Sequence, residues 1–376
     1  MQYRQFQTIG KDVSLLGLGA MRFPLGEDGK ADEAASIRMI RHAIDNGINY
    51  VDTAYTYHGG LSEVIVGKAL KDGYRERTLI ADKLPIWLVK EEADVRKYFD
   101  EQLQRLDVDC IDMYLIHCIE KDGWKVTKDC RVIEILEELK AEGKIGHIGF
   151  SFHDDLSLFK EVIDAYDWEF CQIQLNYVDV NFQAGLEGLH YAGAKGIPVV
   201  IMEPLKGGRL SDAVPPVVQK LWDEAPVSRT PAEWAFKWVA SQPEVSTILS
   251  GMSNMEQLEQ NLALFAKEDL TVLTGEEKAR IEQVAELYRT LIKYPCTECQ
   301  YCQPCPNGVL IPRIIRYYND WCAYEHNPKL KDEYLTWQDD SEHASNCIKC
   351  GACEEHCPQH LPVMQIMDEI VAAFGR

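Results

Sequence analysis

The chain has 376 residues, and its 60 acidic residues against 39 basic ones give a formal net charge of −21. Hydrophobic residues make up 46% and charged residues 26%, which is usual for a globular protein and excludes collagen-like, low-complexity and disordered chains. The acidity argues against a surface for nucleic acid or for anionic membrane, because both call for clustered Lys and Arg.

The N-terminal segment MQYRQFQTIG is polar and lacks the apolar core of a secretion signal. No apolar run in the chain approaches the about 18 residues that would indicate a membrane span. We therefore expect a cytoplasmic protein with no membrane partner. The length predicts two or three domains, at about 150 residues for each domain.

Short apolar runs alternate with amphipathic helical patterns over residues 11–290. The eight candidate strands are residues 14–20, 48–52, 78–83, 111–117, 145–151, 170–176, 198–202 and 246–250. Helical patterns such as 31–47 and 131–143 lie between them. Eight such units over roughly 250 residues predict an α/β fold, a (β/α)8 TIM barrel. An open doubly wound sheet is the alternative, but Gly17 and Gly19 lack the third glycine of its dinucleotide fingerprint.

Four polar residues stand at or just after the C-terminal ends of successive candidate strands. Asp52 ends the second strand, Tyr57 follows five residues later, Lys83 ends the third and His117 ends the fourth. Each alone is an ordinary loop or capping residue. In a barrel, however, the C-terminal ends of the strands carry the chemistry. The four together therefore indicate a catalytic site at one rim.

The motifs VDTAYTYHGGLSE, IADKLP and YLIH resemble the aldo-keto reductase superfamily, and the resemblance runs over roughly residues 1–290 in consistent order. It implies a TIM barrel whose Asp52, Tyr57, Lys83 and His117 form a catalytic tetrad. It also implies an oxidoreductase that reduces a small carbonyl substrate, an aldehyde or ketone, with NADP or NAD as the cofactor.

The chemistry of such a tetrad follows from its side chains. A free tyrosine has a pKa of about 10 and is a poor acid at neutral pH. We expect the ammonium of Lys83, held by Asp52, to lower the pKa of Tyr57 and so to ease donation of its proton. His117 would bind the substrate carbonyl oxygen and help Tyr57 to stabilise the charge that develops there.

The same resemblance implies the cofactor contacts. Ser151 and Gln172 match the positions that hold the nicotinamide carboxamide, and Met202 stands where an aromatic residue often stacks on the ring. Phe152 stands where many members have Asn. The loops after the last two strands match the phosphate and adenosine positions, with Leu205, Lys206, Gly207, Gly251, Ser253, Gln257 and Asn261. Gly251 and Gln257 replace the basic residues that NADP-preferring members carry, which leaves NAD open.

Nine of the 13 cysteines lie within residues 296–357. Eight of them form two quartets, which are Cys296, Cys299, Cys302 and Cys305, then Cys347, Cys350, Cys353 and Cys357. The second quartet has the C-x2-C-x2-C-x3-C spacing, followed by Pro, that is typical of a [4Fe–4S] cluster. The first quartet is one residue shorter before its fourth cysteine. Cysteines in a reducing compartment are more often metal ligands than disulfides, and zinc is the alternative metal.

This segment resembles the small, mainly α-helical ferredoxin-type domain that a subset of aldo-keto reductases carries. The resemblance implies two [4Fe–4S] clusters. Cys296, Cys299, Cys302 and Cys357 would hold one cluster, and Cys347, Cys350, Cys353 and Cys305 would hold the other. The predicted domains are a barrel over residues 1–293 and an iron–sulfur domain over residues 294–376.

Three functions remain open at this point. The favoured one is a carbonyl reductase with an attached iron–sulfur domain. The second is an electron-transfer protein whose barrel is a docking scaffold, and the third is a zinc-stapled barrel that only binds ligands. Hydride transfer moves two electrons whereas each cluster passes one, so the tetrad needs no cluster. The clusters would therefore either stabilise their domain as metal cross-links or pass electrons to a redox protein partner.

Overall fold

The computed structural model of the chain describes residues 1–26, 29–211, 214–296, 302–324, 326–337, 340–357 and 359–376. The chain divides into two compact units, Met1–Gly207 with Ala232–Thr274 and Gly208–Pro231 with Gly275–Arg376. By packing, residues 275–291 therefore group with the C-terminal unit. The predicted domain boundary after residue 293 stays a prediction.

Ten strands are described, and eight of them form a closed parallel barrel. They are β1 (Tyr3–Phe6), β2 (Lys11–Ser14), β3 (Leu16–Gly19), β4 (Tyr50–Asp52), β5 (Leu79–Pro85), β6 (Ile111–Ile119), β7 (Ile145–Phe152), β8 (Phe170–Gln174), β9 (Val199–Met202) and β10 (Val245–Ser250). The barrel runs in chain order from β3 to β10 and closes where β10 pairs with β3. All eight predicted strands are present, so the prediction of a TIM barrel is confirmed and the open sheet is excluded.

The helices follow the strands as the patterns predict. They are α1 (Glu33–Asp45), α2 (Leu61–Ala69), α3 (Glu92–Leu106), α4 (Lys121–Asp129), α5 (Val132–Ala141), α6 (Leu156–Ala165), α7 (Gly185–Ala194), α8 (Pro216–Asp223), α9 (Pro231–Ala240), α10 (Met255–Phe265), α11 (Gly275–Leu291), α12 (Ile311–Ala323), α13 (Pro328–Leu335), α14 (Ala352–Glu355) and α15 (Val363–Phe374). Asp32 caps α1 by accepting a hydrogen bond from the Ala35 N–H. Among the described residues, no helix combines the length and the apolar character needed to cross a membrane.

The hairpin β1–β2 closes the N-terminal end of the barrel. Its Phe6 and Val13 are fully buried in one cluster with Tyr50, Leu79 and Phe170, which are the first residues of their strands. The sequence does not signal this hairpin, because the segment is polar overall and only alternate residues face inwards. With this end filled by apolar side chains, the C-terminal rim is the end left for chemistry.

The C-terminal unit is mainly helical, as predicted. Its core brings together apolar residues of α12, α13 and α15, among them Ile314, Tyr334 and Ile370. Half-buried cysteines pack against this core; they are Cys296, Cys302, Cys305, Cys322, Cys347, Cys353 and Cys357. Cys299, which the sequence analysis assigned to a cluster, lies outside the described residues.

Candidate active site

A buried ion pair lies at the C-terminal ends of β4 and β5. The Lys83 ammonium donates to Asp52 Oδ1 over 2.7 Å and to the Thr53 carbonyl oxygen over 2.6 Å. Lys83 is 0% exposed and Asp52 is 2% exposed. Burial raises the pKa of Asp52, although Lys83 opposes that effect. Burial by itself would lower the pKa of Lys83, but Asp52 and Tyr57 outweigh it and the pKa is raised. Lys83 therefore keeps its proton.

Tyr57 lies next to this ion pair because of the short turn that follows β4. It begins the 3₁₀ segment Tyr57–Gly60, which leads directly into α2 through Gly60 at φ 90°. The Lys83 ammonium is 5.0 Å from the centroid of the Tyr57 ring. The ring of His117 approaches the Tyr57 ring edge-on, with 6.1 Å between their centroids. The structure thus brings the four predicted catalytic side chains together.

The acidity of Tyr57 differs from the expectation. Burial raises the pKa of Tyr57 above its ordinary value, Lys83 acts in the opposite direction, and Asp52 raises the pKa further. We expected Lys83 to bring the pKa down, but its effect is smaller than the cost of placing a phenolate in a poorly hydrated site. Tyr57 is accordingly a phenol at neutral pH and has a proton to give.

His117 is neutral at this rim. Burial, then the charge of Lys83, lowers the pKa of His117 well below its usual range. Its Nδ1 is buried and has no hydrogen-bond partner among the described residues. The half-exposed Trp87 covers the ring on one side, with centroids 5.0 Å apart. His117 therefore presents an uncharged ring to whatever enters between Tyr57 and Trp87.

A second histidine, which the sequence analysis did not identify, lies near the tetrad. Burial lowers the pKa of His153 to about 4, and its contact with Gln183 opposes this. The Gln183 amide nitrogen lies 3.5 Å from His153 Nδ1. Phe152 is fully buried against Phe159 in the apolar core. The alternation of β7 continued by one residue could have identified His153, since it follows Ser151 by two positions.

The predicted carboxamide residues are neighbours in the barrel wall. Ser151 on β7 and Gln172 on β8 are register partners. The Ser151 hydroxyl accepts a hydrogen bond from the Cys118 N–H over 2.8 Å. The Gln172 amide nitrogen contacts the Met202 sulfur at 3.6 Å, and its Oε1 is buried without a partner among the described residues. An unpartnered amide oxygen beside a thioether fits a nicotinamide carboxamide over this part of the rim.

The glycine loops after β9 and β10 meet at an arginine that the sequence analysis missed. A Cβ on Gly251 would lie 3.2 Å from the Arg22 side chain, and one on Gly207 would lie 3.4 Å from Arg22 Nη2. Glu203 Oε1 is 3.7 Å from the same guanidinium. Arg22 is 46% exposed, so a cation of the type that binds phosphate lies beside both loops. Arg22 comes three residues after Gly19, the last residue of β3. Its place just after a strand end is the sequence feature that could have identified it.

The other predicted cofactor residues lie in or near the same loops. Lys206 forms an ion pair with Asp179, so its charge is already compensated. Gln257 Oε1 accepts from the Ser253 N–H over 2.8 Å at the start of α10. The Asn261 side chain is buried and donates to the Ser250 hydroxyl over 3.2 Å. Leu205 packs against the core of the barrel.

In the C-terminal unit, five cysteines line a cavity of about 300 Å3. They are Cys302, Cys305, Cys347, Cys350 and Cys353. Four of these are the quartet predicted for one cluster, which includes Cys305 despite the short spacing before it. Cysteines around one cavity are a residue set that fits an iron–sulfur cluster.

Comparisons with known proteins agree with both units. The family model described as "Aldo/keto reductase family" matches residues 15–286, and the "4Fe-4S dicluster domain" model matches residues 295–361. The chain is 30% identical to L-galactose dehydrogenase of Arabidopsis thaliana over 313 residues, which are 77% of this chain and 96% of the relative. It is 29% identical to the NADH-specific methylglyoxal reductase of Escherichia coli, over 67% of this chain and 89% of the relative.

A solved structure supports the same assignment. The aldo-keto reductase of Klebsiella pneumoniae in complex with NADPH superposes with a TM-score of 0.62 at 25% identity, covering 76% of this chain and 96% of that one. The first family model covers the barrel strands, and the 4Fe-4S model matches a separate, later segment. The chain is therefore a member of the aldo/keto reductase family, of the kind that carries a C-terminal 4Fe–4S domain.

Proposed function

We propose that this oxidoreductase reduces the carbonyl group of a small aldehyde or ketone to an alcohol, with Tyr57 as the general acid and NADH or NADPH as the reductant. The observation that carries the proposal is the buried Lys83–Asp52 pair, whose ammonium is 5.0 Å from the Tyr57 ring. Tyr57 is a protonated phenol next to a buried ion pair. This arrangement allows Tyr57 to donate its proton to an atom on which negative charge develops.

Each tetrad residue has a defined task in this reaction. His117 is neutral, so a ring N–H can donate to the substrate carbonyl oxygen without adding charge. Tyr57 gives its phenolic proton to that oxygen, and the C=O group becomes CH–OH. The Lys83 ammonium stabilises the phenolate left behind, and Asp52 holds the ammonium in place. Solvent then returns a proton to Tyr57.

The cofactor would lie across the rim from β7 to β10. When bound, the reduced nicotinamide supplies the hydride that the carbonyl carbon accepts, and it leaves oxidised. Ser151, Gln172 and Met202 would hold its ring end, whereas Arg22 supplies positive charge for the phosphates. The remaining contacts would come from the two loops, that is from Leu205, Lys206, Gly207, Gly251, Ser253, Gln257 and Asn261. Because Lys206 is paired with Asp179, Arg22 is the more available cation.

The substrate class follows from the polar groups around the carbonyl position. His153 lies close enough to Lys83 and His117 for their charges to interact, Gln183 contacts His153, and both residues can form hydrogen bonds while uncharged. They favour a substrate with an oxygen on the carbon adjacent to the carbonyl group. The names of two relatives, a galactose dehydrogenase and a methylglyoxal reductase, point to substrates of this type. Hydroxyaldehydes and dicarbonyls are therefore the substrates to test first.

The C-terminal domain would hold two [4Fe–4S] clusters. Cys305, Cys347, Cys350 and Cys353 would bind one, supported by the cavity that they line. Cys296, Cys299, Cys302 and Cys357 would bind the other. When bound, the clusters supply one-electron carriers and cross-link their loops. Either role is compatible with the proposed reaction, and the first would require a redox protein partner.

The decisive experiment compares Tyr57→Phe with the wild-type protein, both purified anaerobically. Because phenylalanine keeps the ring but has no proton to donate, we expect kcat for glycolaldehyde or methylglyoxal to fall at least about 100-fold. Binding of NADH or NADPH, followed by fluorescence, should change little. Unchanged turnover in Tyr57→Phe would refute the assigned acid. A wild-type protein that reduces no carbonyl but passes electrons through its clusters would favour the docking-scaffold alternative.

A further inference from the structure

Two carboxyl groups are buried together behind Lys83, on the outer side of β5. Glu63 on α2 and Asp82 on β5 are both 0% exposed and lie within hydrogen-bonding reach of each other. Arg105 Nη1 donates to Glu63 Oε2 over 2.7 Å, and the Lys83 N–H donates to Asp82 Oδ1 over 2.8 Å. The other oxygens, Glu63 Oε1 and Asp82 Oδ2, are buried without a hydrogen-bond donor among the described residues.

This cluster takes the place of a missing strand next to Lys83. Strand β4 ends at Asp52, which is in register with Ala81, and the Thr53 N–H still donates to the Ala81 carbonyl over 2.9 Å. Lys83 lies two residues after Ala81, so its N–H and carbonyl point to the same side of β5 as those of Ala81. At Lys83, however, β4 has already ended and offers no backbone partner. Asp82 Oδ1 accepts the Lys83 N–H and the Gln102 amide donates to the Lys83 carbonyl over 3.1 Å. These two side chains therefore clamp the peptide of Lys83.

The remaining contacts fix the clamp to α3 and β6. The Tyr114 hydroxyl donates to Gln102 Oε1 over 2.6 Å, which orients the amide. Arg105 also donates to the Tyr55 carbonyl over 3.1 Å and stacks over the Tyr55 ring at 4.0 Å. Arg105 has a second carboxylate neighbour, Glu101, at 3.7 Å from its Nη2. Glu101 also accepts a hydrogen bond from the Tyr55 hydroxyl.

The charges around the pair do not balance two carboxylates. The Lys83 ammonium is engaged by Asp52 on the inner side of the strand, which leaves Arg105 as the counter-ion, and Arg105 also faces Glu101. Burial first, and then Glu63, raises the pKa of Asp82 well above its ordinary value. Burial raises the pKa of Glu63 as well, although Arg105, then Asp82 and more weakly the Gln102 amide oppose this. Of the two adjacent buried carboxyl groups, Glu63 pairs with Arg105 whereas Asp82 forms no ion pair among the described residues, so the pair retains a proton.

We propose that Glu63 and Asp82 share one proton at neutral pH, and that this protonated pair is a positioning device for Lys83. The proton bridges the two oxygens that otherwise have no donor, so Asp82 stays in place to accept the Lys83 N–H. Loss of the shared proton at alkaline pH would leave two carboxylates that repel each other. Asp82 would then no longer be held in place to accept the Lys83 N–H. The effect on catalysis rests on the proposed function, whereas the shared proton does not.

Infrared spectroscopy of the holoprotein tests the shared proton without any activity. A difference spectrum of wild type minus Asp82→Asn at neutral pH should contain the C=O stretch of a protonated carboxylic acid. In the variant, the asparagine amide can donate to Glu63 while its oxygen accepts from Lys83, so no carboxyl proton is needed. No acid band in the wild-type spectrum would overturn the proposal.

The pH profile of kcat tests the positioning role. The wild type should lose kcat on an alkaline limb, and Asp82→Asn should retain most of its kcat at neutral pH while that limb moves to higher pH. Asp82→Ala cannot accept the Lys83 N–H and should lower kcat about tenfold or more, with less effect on the KM for the nicotinamide. Equal loss of kcat in Asp82→Asn and Asp82→Ala would refute the positioning role. Absence of carbonyl reduction in the wild type would count against the proposed function and leave the infrared result to decide the shared proton.

Discussion

At the rim of the barrel, three titratable side chains are held in their neutral forms. Burial raises the pKa of Tyr57, lowers that of His117 well below its usual range and lowers that of His153 to about 4. Lys83 adds a positive charge that discourages protonation of both histidines. The only fixed charges of the tetrad are therefore those of the Lys83–Asp52 pair.

The pKa of His153 predicts an acid-dependent loss of stability. The imidazole binds a proton in the unfolded chain near pH 6.5 but in the folded one only near pH 4. The neutral His153 ring contributes fully to the free energy of unfolding above about pH 6.5. This contribution is lost as the pH falls towards 4, and the total loss is up to about 3 kcal/mol. We expect His153→Gln to reduce the difference in unfolding midpoint between pH 8 and pH 5, measured by calorimetry.

The exposed His190, which pairs with Glu244, provides the control. His190→Gln should not reduce the difference in unfolding midpoint between the two pH values, because this side chain is exposed and not part of the barrel rim. If His153→Gln and the wild type show the same pH dependence, His153 is not the buried neutral ring described here.

At the scale of elements, a close approach of α2 and α3 holds the cluster behind Lys83. A Cβ on Gly67 of α2 would lie 2.2 Å from the Leu106 carbonyl oxygen at the end of α3. The contact is with backbone, so no side chain can move aside. It brings Glu63, on the same helix as Gly67, to Arg105, which precedes Leu106.

We therefore expect Gly67→Ala to force α2 and α3 apart. The overpacking should reduce the free energy of unfolding by about 1–3 kcal/mol, measured with denaturant. It should also lower kcat, since the Lys83 clamp depends on both helices. Gly275→Ala is the matched control, because no atom lies within 4 Å of a Cβ at that glycine and its change should stay within about 1 kcal/mol. Equal stability of the two variants would contradict the close packing.

At the scale of the molecule, the two units differ in what holds them together. The barrel has an apolar core that runs between strands and helices, from Leu15 to Leu270. The core of the C-terminal unit is much smaller, and half-buried cysteines surround it. Small domains with limited cores commonly need metal for stability. We therefore expect the second unit to depend on its clusters.

Iron content provides the test of this dependence. Anaerobically purified wild type should be brown and contain about eight iron and eight sulfide per chain, at four of each per cluster. Cys350→Ala should lower both towards about four and lower the unfolding midpoint of the C-terminal unit. Cys110→Ala, which removes a half-buried cysteine of the barrel, should keep the full content. A colourless wild-type protein that contains zinc would reject the clusters.

Much of the site was predictable because strand ends in a parallel barrel meet at one rim. Asp52, Lys83 and His117 stand at successive strand ends, so their proximity follows from topology. Arg22 was missed because its neighbours, Gly207 and Gly251, are remote in sequence. The ion pair between Lys206 and Asp179 was also missed, because these two residues are far apart in the sequence.

The order of apolar runs and the short motifs determined the barrel and the family, and the polar residues that end the runs predicted the tetrad, because all of these depend on local periodicity and on short stretches of sequence. The tertiary structure decided the protonation states and the contacts between remote segments. Tyr57 remains a phenol beside an ammonium because burial outweighs the nearby charge. Glu63 and Asp82 meet because α2 packs closely on α3 behind β5. Burial and proximity are properties of the folded chain, and no short stretch of sequence carries them.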